Sequence, residues 1–164
     1  MTTASAIEQP DNVKSLILAL TDVVNRHDPD QAAAFYSEDA EVINHATGQH
    51  LLGRTAIRED LAALMTAWPD VRIEKTSLMA VGDTFADQFY FEGTHQNPLP
   101  GAPATGRPFR VAWAGFGQVR DDKIVRHELY SNMVEFLSQV GLLPAPGEEQ
   151  ARSTDGLDVE MSVG

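Results

Sequence analysis

Five histidines, His27, His45, His50, His95 and His127, carry the side chains whose ordinary ionisation lies nearest neutrality, and they are the first candidates for proton transfer. His95 closes a strand-like run and opens a proline-rich loop, at the edge where the mouth of a curved sheet is expected. His45 and His50 stand five apart with no third ligand nearby, too little for a zinc site. His27 follows an apolar helical stripe, where the dipole of the helix favours a cation. Glu128 shares strand parity with Ile124, Arg126, Tyr130 and Asn132. Drawn partly out of water, its carboxylate would have the raised pKa that suits a general base; paired with Arg126 or Arg110, it would be a plain ion pair on the sheet. His127 has the opposite parity and is expected on the other face. Trp68, Phe85, Phe89, Tyr90, Phe91, Trp113 and Tyr130 could stack on a planar ligand or simply fill a core, and Trp113, in mid-strand, is the best placed for a ligand wall.

Those side chains need elements to position them. Val13, Leu16, Ile17, Leu20, Val23 and Val24 recur at helical spacing and predict a first helix ending near His27. Asp28-Pro29 reads as an N-cap with proline at the first helical position, opening a short helix to about Tyr36. Residues 40–44 are a short strand candidate. Ile57, Leu61, Leu64, Met65 and Trp68 predict a third helix, which Pro69 stops. From Val71 onward the chain turns β-branched and aromatic, with strands expected over 71–81, 84–95, 108–120 and 123–132. Gly82-Asp83 and Asp121-Asp122 suit tight hairpins, whereas 97–108, with Pro98, Pro100, Pro103 and two glycines, is a long stiff loop that could form a rim or lid. A last helical turn or two carries Met133, Phe136, Leu137 and Val140 and ends at Gly141. Gly115-Phe116-Gly117 precedes no helix, so it is not a nucleotide loop, and its glycines are expected to permit sheet curvature.

Helices followed by a run of long antiparallel strands give an α+β pattern, a curved sheet closed by N-terminal helices around one pocket. The chain of 164 residues reads as a single domain over 1–143, with an acidic tail over 144–164 that has little to bury. Acidic residues number 24 against 12 basic ones, a net charge of −12 that argues against nucleic acid and anionic membrane surfaces as partners. There is no cysteine, hence no thiolate nucleophile, disulfide or Cys-ligated metal. No secretory signal or membrane-length apolar run is evident, so a cytoplasmic location is expected.

Five strings in order, His27-Asp28-Pro29-Asp30, Gly53-Arg54-Thr55-Ala56-Ile57-Arg58, Gly93-Thr94-His95-Gln96, Pro103-Ala104-Thr105-Gly106-Arg107 and Asp122-Lys123-Ile124-Val125 leading to Asn132, resemble the SnoaL-like polyketide cyclases of the nuclear transport factor 2-like superfamily. The likeness spans about residues 10–143. It implies a cone-shaped α+β barrel, usually dimeric or larger, that closes a ring by intramolecular aldol addition without metal or organic cofactor. It also implies that the family's acid/base carboxylate falls on Asn132 and the histidine of its Gly-Thr-His motif on His95, and that the parity of Asn132 faces the pocket. Such a reaction needs a base for a carbon-bound proton beside a carbonyl and a donor for the oxygen that turns negative. On this resemblance His95 would move the proton, with Glu128 or His45 as substitutes, and Asn132 and Tyr130 would donate to the oxygen. Tyr130, Trp113, Trp68, Phe91 and Phe89 would hold a small, hydrophobic, carbonyl-bearing substrate. An amide at 132 accepts no proton at neutral pH, which leaves two rivals: a hydroxylase-type or epoxide-opening enzyme of the same fold, and a non-catalytic binding or dimerisation module.

Overall fold

The computed structural model describes residues 9–99 and 101–143. The tail expected over 144–164 lies outside them. In chain order the elements are α1 (Gln9–Asn25), α2 (Pro29–Ala33), β1 (Tyr36–Asn44), β2 (Gln49–Leu52), α3 (Arg54–Ala67), β3 (Arg72–Val81), β4 (Thr84–Thr94), β5 (Pro108–Arg120), β6 (Lys123–Ser131) and α4 (Met133–Gln139). Six strands form one curved, unclosed sheet in the order β2-β1-β6-β5-β4-β3. The architecture is the α+β one expected, and every neighbouring pair is antiparallel except β1 and β6.

Local signals account for most of the boundaries. Asp28 caps α2, its side chain accepting from the Gln31 amide at 2.9 Å, with Pro29 just inside the helix. The turns after β3 and β5 fall at Gly82 and at Asp121-Asp122, and both aspartates adopt positive φ. The stretch between α2 and α3 departs from the expectation. The helix expected to reach Tyr36 stops at Ala33, and Tyr36 instead begins β1, buried beside β6 in register with Ile124. Among the described residues the four of β2 pair with β1 alone, and Gly48 at φ +75 makes the turn between them.

The main core lies between the concave face of the sheet and the helices α1 and α3. Ile17, Leu20, Val24, Ile57 and Met65 pack there against Tyr36, Val42, Phe85 and Ile124. A second cluster, Phe109, Val111, Phe136 and Val140, closes the end under α4.

One irregularity governs what the sheet presents inward. Between β5 and β6 the register shifts, Gln118 pairing with Arg126 but Val119 with Ile124, so that β6 carries an extra residue at Val125. Ile124 is buried in the core, and beyond the bulge the inward set becomes His127 and Leu129 rather than Arg126, Glu128 and Tyr130. The expected parity of this strand is thereby inverted.

Candidate active site

Between α1, α3 and the concave sheet face lies a cavity of about 380 Å³. Its walls are mostly apolar: Ile17, Leu20 and Val24 from α1, Leu61 and Leu64 from α3, and an aromatic stretch of Phe89, Phe91, Trp113, Trp68 and Phe136. Phe89 and Trp113 stack with centroids 6.4 Å apart, and Phe136 meets Trp68 edge-on. Leu99, from the long loop, also lines the cavity, so that loop supplies part of its rim.

Four polar side chains interrupt this wall as two bonded pairs, Tyr36 with His127 and Lys75 with Asp87. The Tyr36 hydroxyl lies 3.1 Å from His127 Nδ1. Lys75 Nζ donates to Asp87 Oδ2 and sits 4.6 Å from the centre of the Phe89 ring. Asp87 Oδ1 and His127 Nε2 are buried without a hydrogen-bond partner among the described residues. Gly115, directly opposite Asp87 on β5, is what lets these two atoms converge. A Cβ at 115 would stand well inside contact distance of Asp87 Oδ1 and 3.0 Å from His127 Nε2. Gly117 makes the same kind of room for the Phe85 ring. The two glycines serve close approach of side chains as well as the curvature expected of them.

Burial pushes His127 down to about 4; the Lys75 charge adds to this and Asp87 opposes it. The ring is therefore neutral at physiological pH. Burial, with the charges of Asp87 and Asp60 behind it, raises Tyr36, whose hydroxyl stays protonated. If that hydroxyl donates to Nδ1, the proton of His127 sits on Nε2, which is buried beside Gly115 and Asp87. The arrangement offers an acceptor, Asp87 Oδ1, next to a neutral donor. Polar groups also rim the chamber elsewhere, where Gln49 donates to Asp60 at 2.6 Å.

A depressed histidine ties stability to pH. Between about 6.5 and about 4 the unfolded chain binds the proton that the folded chain refuses, so stability is complete above this window and falls as pH drops through it. The loss amounts to roughly 3 kcal/mol in full. His127→Gln is expected to flatten this part of the curve, read by urea unfolding at stepped pH; an unchanged slope would place the histidine in water.

The structure places the expected site residues in three different surroundings. Trp68, Phe89, Phe91 and Trp113 line the cavity. Glu128, Tyr130 and His45 do not: the bulge turns Glu128 and Tyr130 to the outer face, where His45, just after β1, meets them. There His45 Nε2 lies 2.9 Å from Glu128 and its ring stacks on Tyr130 at 4.3 Å. Tyr130 donates to Glu128 at 3.1 Å, and Arg126 bridges Glu128 and Glu41. Hydrogen bonds from His45, Arg126 and Tyr130 hold Glu128 down to about 2, the opposite of the raised value a general base requires. His127, expected outside the pocket, is inside it.

His95 is fully buried, with Nδ1 accepting from the Thr105 amide at 3.4 Å and lying 3.0 Å from its hydroxyl. Its ring sits 5.6 Å from Trp68, which lines the cavity as His95 itself does not. Asn132 is not a strand residue but the N-cap of α4, its carbonyl accepting from the amides of Val134 and Glu135. It is exposed and committed to that cap. Asn132→Ala is accordingly expected to cost about 1 kcal/mol of stability by thermal unfolding. Asn132→Asp should cost nothing, since a carboxylate caps equally well and suits the helix dipole.

Sequence reasoning missed Asp87, Lys75 and Tyr36. A signal for two of them was present. In Phe85, Asp87, Phe89 and Phe91 the inward positions of β4 are aromatic save one carboxylate, and Lys75 interrupts the inward set of β3 in the same way. A charge on the buried parity of a strand is a candidate functional residue.

The model of the SnoaL-like polyketide cyclase family matches residues 14–140. No curated protein matches the chain in sequence. Among solved structures, IdmH from Streptomyces antibioticus, a proposed polyketide cyclase, is similar at 26% identity and TM-score 0.70, covering 79% of this chain and 98% of that one. A proposed polyketide cyclase from Xanthomonas campestris is similar at 25% identity and TM-score 0.72, covering 81% and 99%. AclR, a proposed hydroxylase from Streptomyces galilaeus, shares the fold at 23% identity and TM-score 0.74, covering 88% and 90%.

Proposed function

From the premise that this chain belongs to the SnoaL-like polyketide cyclase family, we propose that its cavity binds a small hydrophobic carbonyl compound and removes a proton from the carbon beside the carbonyl. The enolate then adds to a second carbonyl of the same molecule and closes a ring, or takes the proton back at another carbon in an isomerisation. The observation that carries this reading is the convergence of Asp87 Oδ1 and His127 Nε2, both buried and unpartnered, in the wall of a largely apolar chamber. Buried polar atoms are nearly always satisfied, so two orphans beside one glycine in the cavity wall are groups that a bound ligand could complete.

Each group has a role. Asp87 Oδ1 takes the carbon-bound proton while Lys75, bonded to the other oxygen, fixes the carboxylate. His127 Nε2–H donates to the oxygen that becomes negative, with Tyr36 holding the tautomer through Nδ1. The donor is in place before reaction, and the apolar walls strengthen it by excluding water. In ring closure the proton on Asp87 passes to the new alkoxide, which restores the carboxylate. The aromatic stretch stacks on the planar part of the substrate. A homodimer or higher oligomer belongs to the same reading, supported by exposed Met79, Val81 and Phe116 around one groove of the outer surface.

The test is deuterium incorporation at the α-carbon of aromatic β-ketoesters in heavy water. Incorporation well above buffer, unchanged in Glu128→Gln, is the expected result. Saturable quenching of Trp fluorescence without exchange would make the chain a binding module. Because the same acceptor and donor could hold a water molecule, product from an epoxide probe is also examined for solvent ¹⁸O. Incorporation of ¹⁸O with no carbon exchange would favour a water-adding enzyme.

A further inference from the structure

Lys75 is the one side chain of the polar group whose chemistry the proton transfer above leaves mostly unused. It projects from the inward parity of β3 beside Ile73, lines the cavity, and has a side chain only 13% exposed. Its nitrogen rests between the Asp87 carboxylate and the face of Phe89. As a purely structural device this pair is poor. The cost of taking two charges out of water roughly cancels their attraction, and an apolar pair of similar volume would pack against Phe89 without loss. A primary amine in the wall of an apolar carbonyl site, with a proton acceptor bonded to it, is the arrangement that imine chemistry uses.

We propose that Lys75 captures the carbonyl carbon of the substrate as a Schiff base, so that the cavity activates β-dicarbonyl compounds through an enamine. This deepens the proposed function and rests on it. When an apolar substrate expels water from the chamber, the separated charges of Lys75 and Asp87 lose solvation, and transfer of the ammonium proton to Asp87 leaves a neutral amine beside a carboxylic acid. The nitrogen lone pair attacks the carbonyl carbon; the π pair moves to oxygen, which is protonated by Asp87, and Asp87 recovers a proton from the nitrogen. Loss of that hydroxyl as water, on a proton from Asp87, leaves an iminium and a carboxylate. The carboxylate then removes the proton between the iminium carbon and the remaining carbonyl to give the conjugated enamine. No oxidant or reductant enters; the balance is amine plus diketone giving enaminone plus water. His127 Nε2–H meanwhile holds the second carbonyl oxygen of the substrate.

The chain has three lysines, Lys14, Lys75 and Lys123, which makes the test clean. Lys123 is exposed enough to serve as the internal control, donating to the Ala34 carbonyl at the surface. The full chain is incubated with benzoylacetone and sodium cyanoborohydride, digested, and mapped by mass spectrometry. The adduct is expected on Lys75 in preference to Lys123 by roughly tenfold or more, as befits a positioned reactant. It should be absent from Lys75→Arg, which keeps a cation on Asp87 but forms no imine. Circular dichroism of that variant confirms that the fold persists. Equal labelling of all lysines, or none at Lys75, overturns the amine step. Deuterium exchange into benzoylacetone is followed in parallel. Exchange without an adduct overturns the Schiff base alone, whereas absence of both overturns the proposed function with it.

Discussion

Asp87→Asn is expected to slow α-carbon exchange by about 10²–10⁴-fold, the contribution of a positioned general base. The substitution keeps the shape of the side chain and an oxygen that can still accept from Lys75. What it removes is the ability of Oδ1 to take a proton. It also leaves the Lys75 ammonium without a counter-charge in a site nearly closed to water, and breaking such a pair costs about 3–5 kcal/mol when one partner is lost outright. Loss of activity could then be mistaken for loss of fold. The double variant Lys75→Met/Asp87→Leu separates the two, because replacing both charges by apolar groups is often neutral or stabilising. A double variant that melts near the parent temperature and exchanges no deuterium would show that the chemistry needs the Lys75–Asp87 pair and that its loss is not a loss of fold. Exchange at the parent rate in a folded Asp87→Asn protein would remove Asp87 from the mechanism.

Gly115→Ala is the second large effect, and it acts by one methyl group. The new Cβ would collide with Asp87 Oδ1 and stand 3.0 Å from His127 Nε2. Neither neighbour can retreat freely, since Asp87 is anchored by Lys75 and His127 by Tyr36. Overpacking of this kind costs about 1–3 kcal/mol. The larger consequence is displacement of the proton acceptor, and a misplacement near 1 Å can lower a rate by about 10²-fold. Gly93→Ala is the matched control. Its Cβ would lie 3.1 Å from the Phe109 ring and 3.2 Å from Asp70, away from the acceptor and donor. It is expected to lower the melting temperature without a comparable loss of exchange. If both variants lose activity in proportion to stability, the convergence at Gly115 carries no special role.

The outer face shows why a residue type alone does not identify a site. His45, Glu128 and Tyr130 contact one another as a catalytic set would. Yet Glu128 is held down to about 2 by its donors, while the cavity group contains two atoms with no partner at all. Satisfied polar groups have little left to give a substrate, and unsatisfied buried ones have their whole hydrogen-bonding capacity free.

What this sequence determined by itself is local and periodic. The Asp28-Pro29 cap, the apolar spacing of α1 and α3, the turns at Gly82 and Asp121-Asp122, and the aromatic inward row of β4 all follow from short-range chemistry. So does the family resemblance, carried by short strings in order. Tertiary structure alone decided the rest. The parallel pairing of β1 with β6 joins residues more than eighty positions apart, and it converts Tyr36 from the expected end of a helix into the partner of His127. The extra residue at Val125 is invisible to alternation, yet it exchanges the two faces of β6, sending Glu128 and Tyr130 outward and His127 inward. A strand repeats every two residues, so a single inserted residue reverses every side chain beyond it. Which histidine meets the cavity was therefore settled by the pairing of strands distant in sequence.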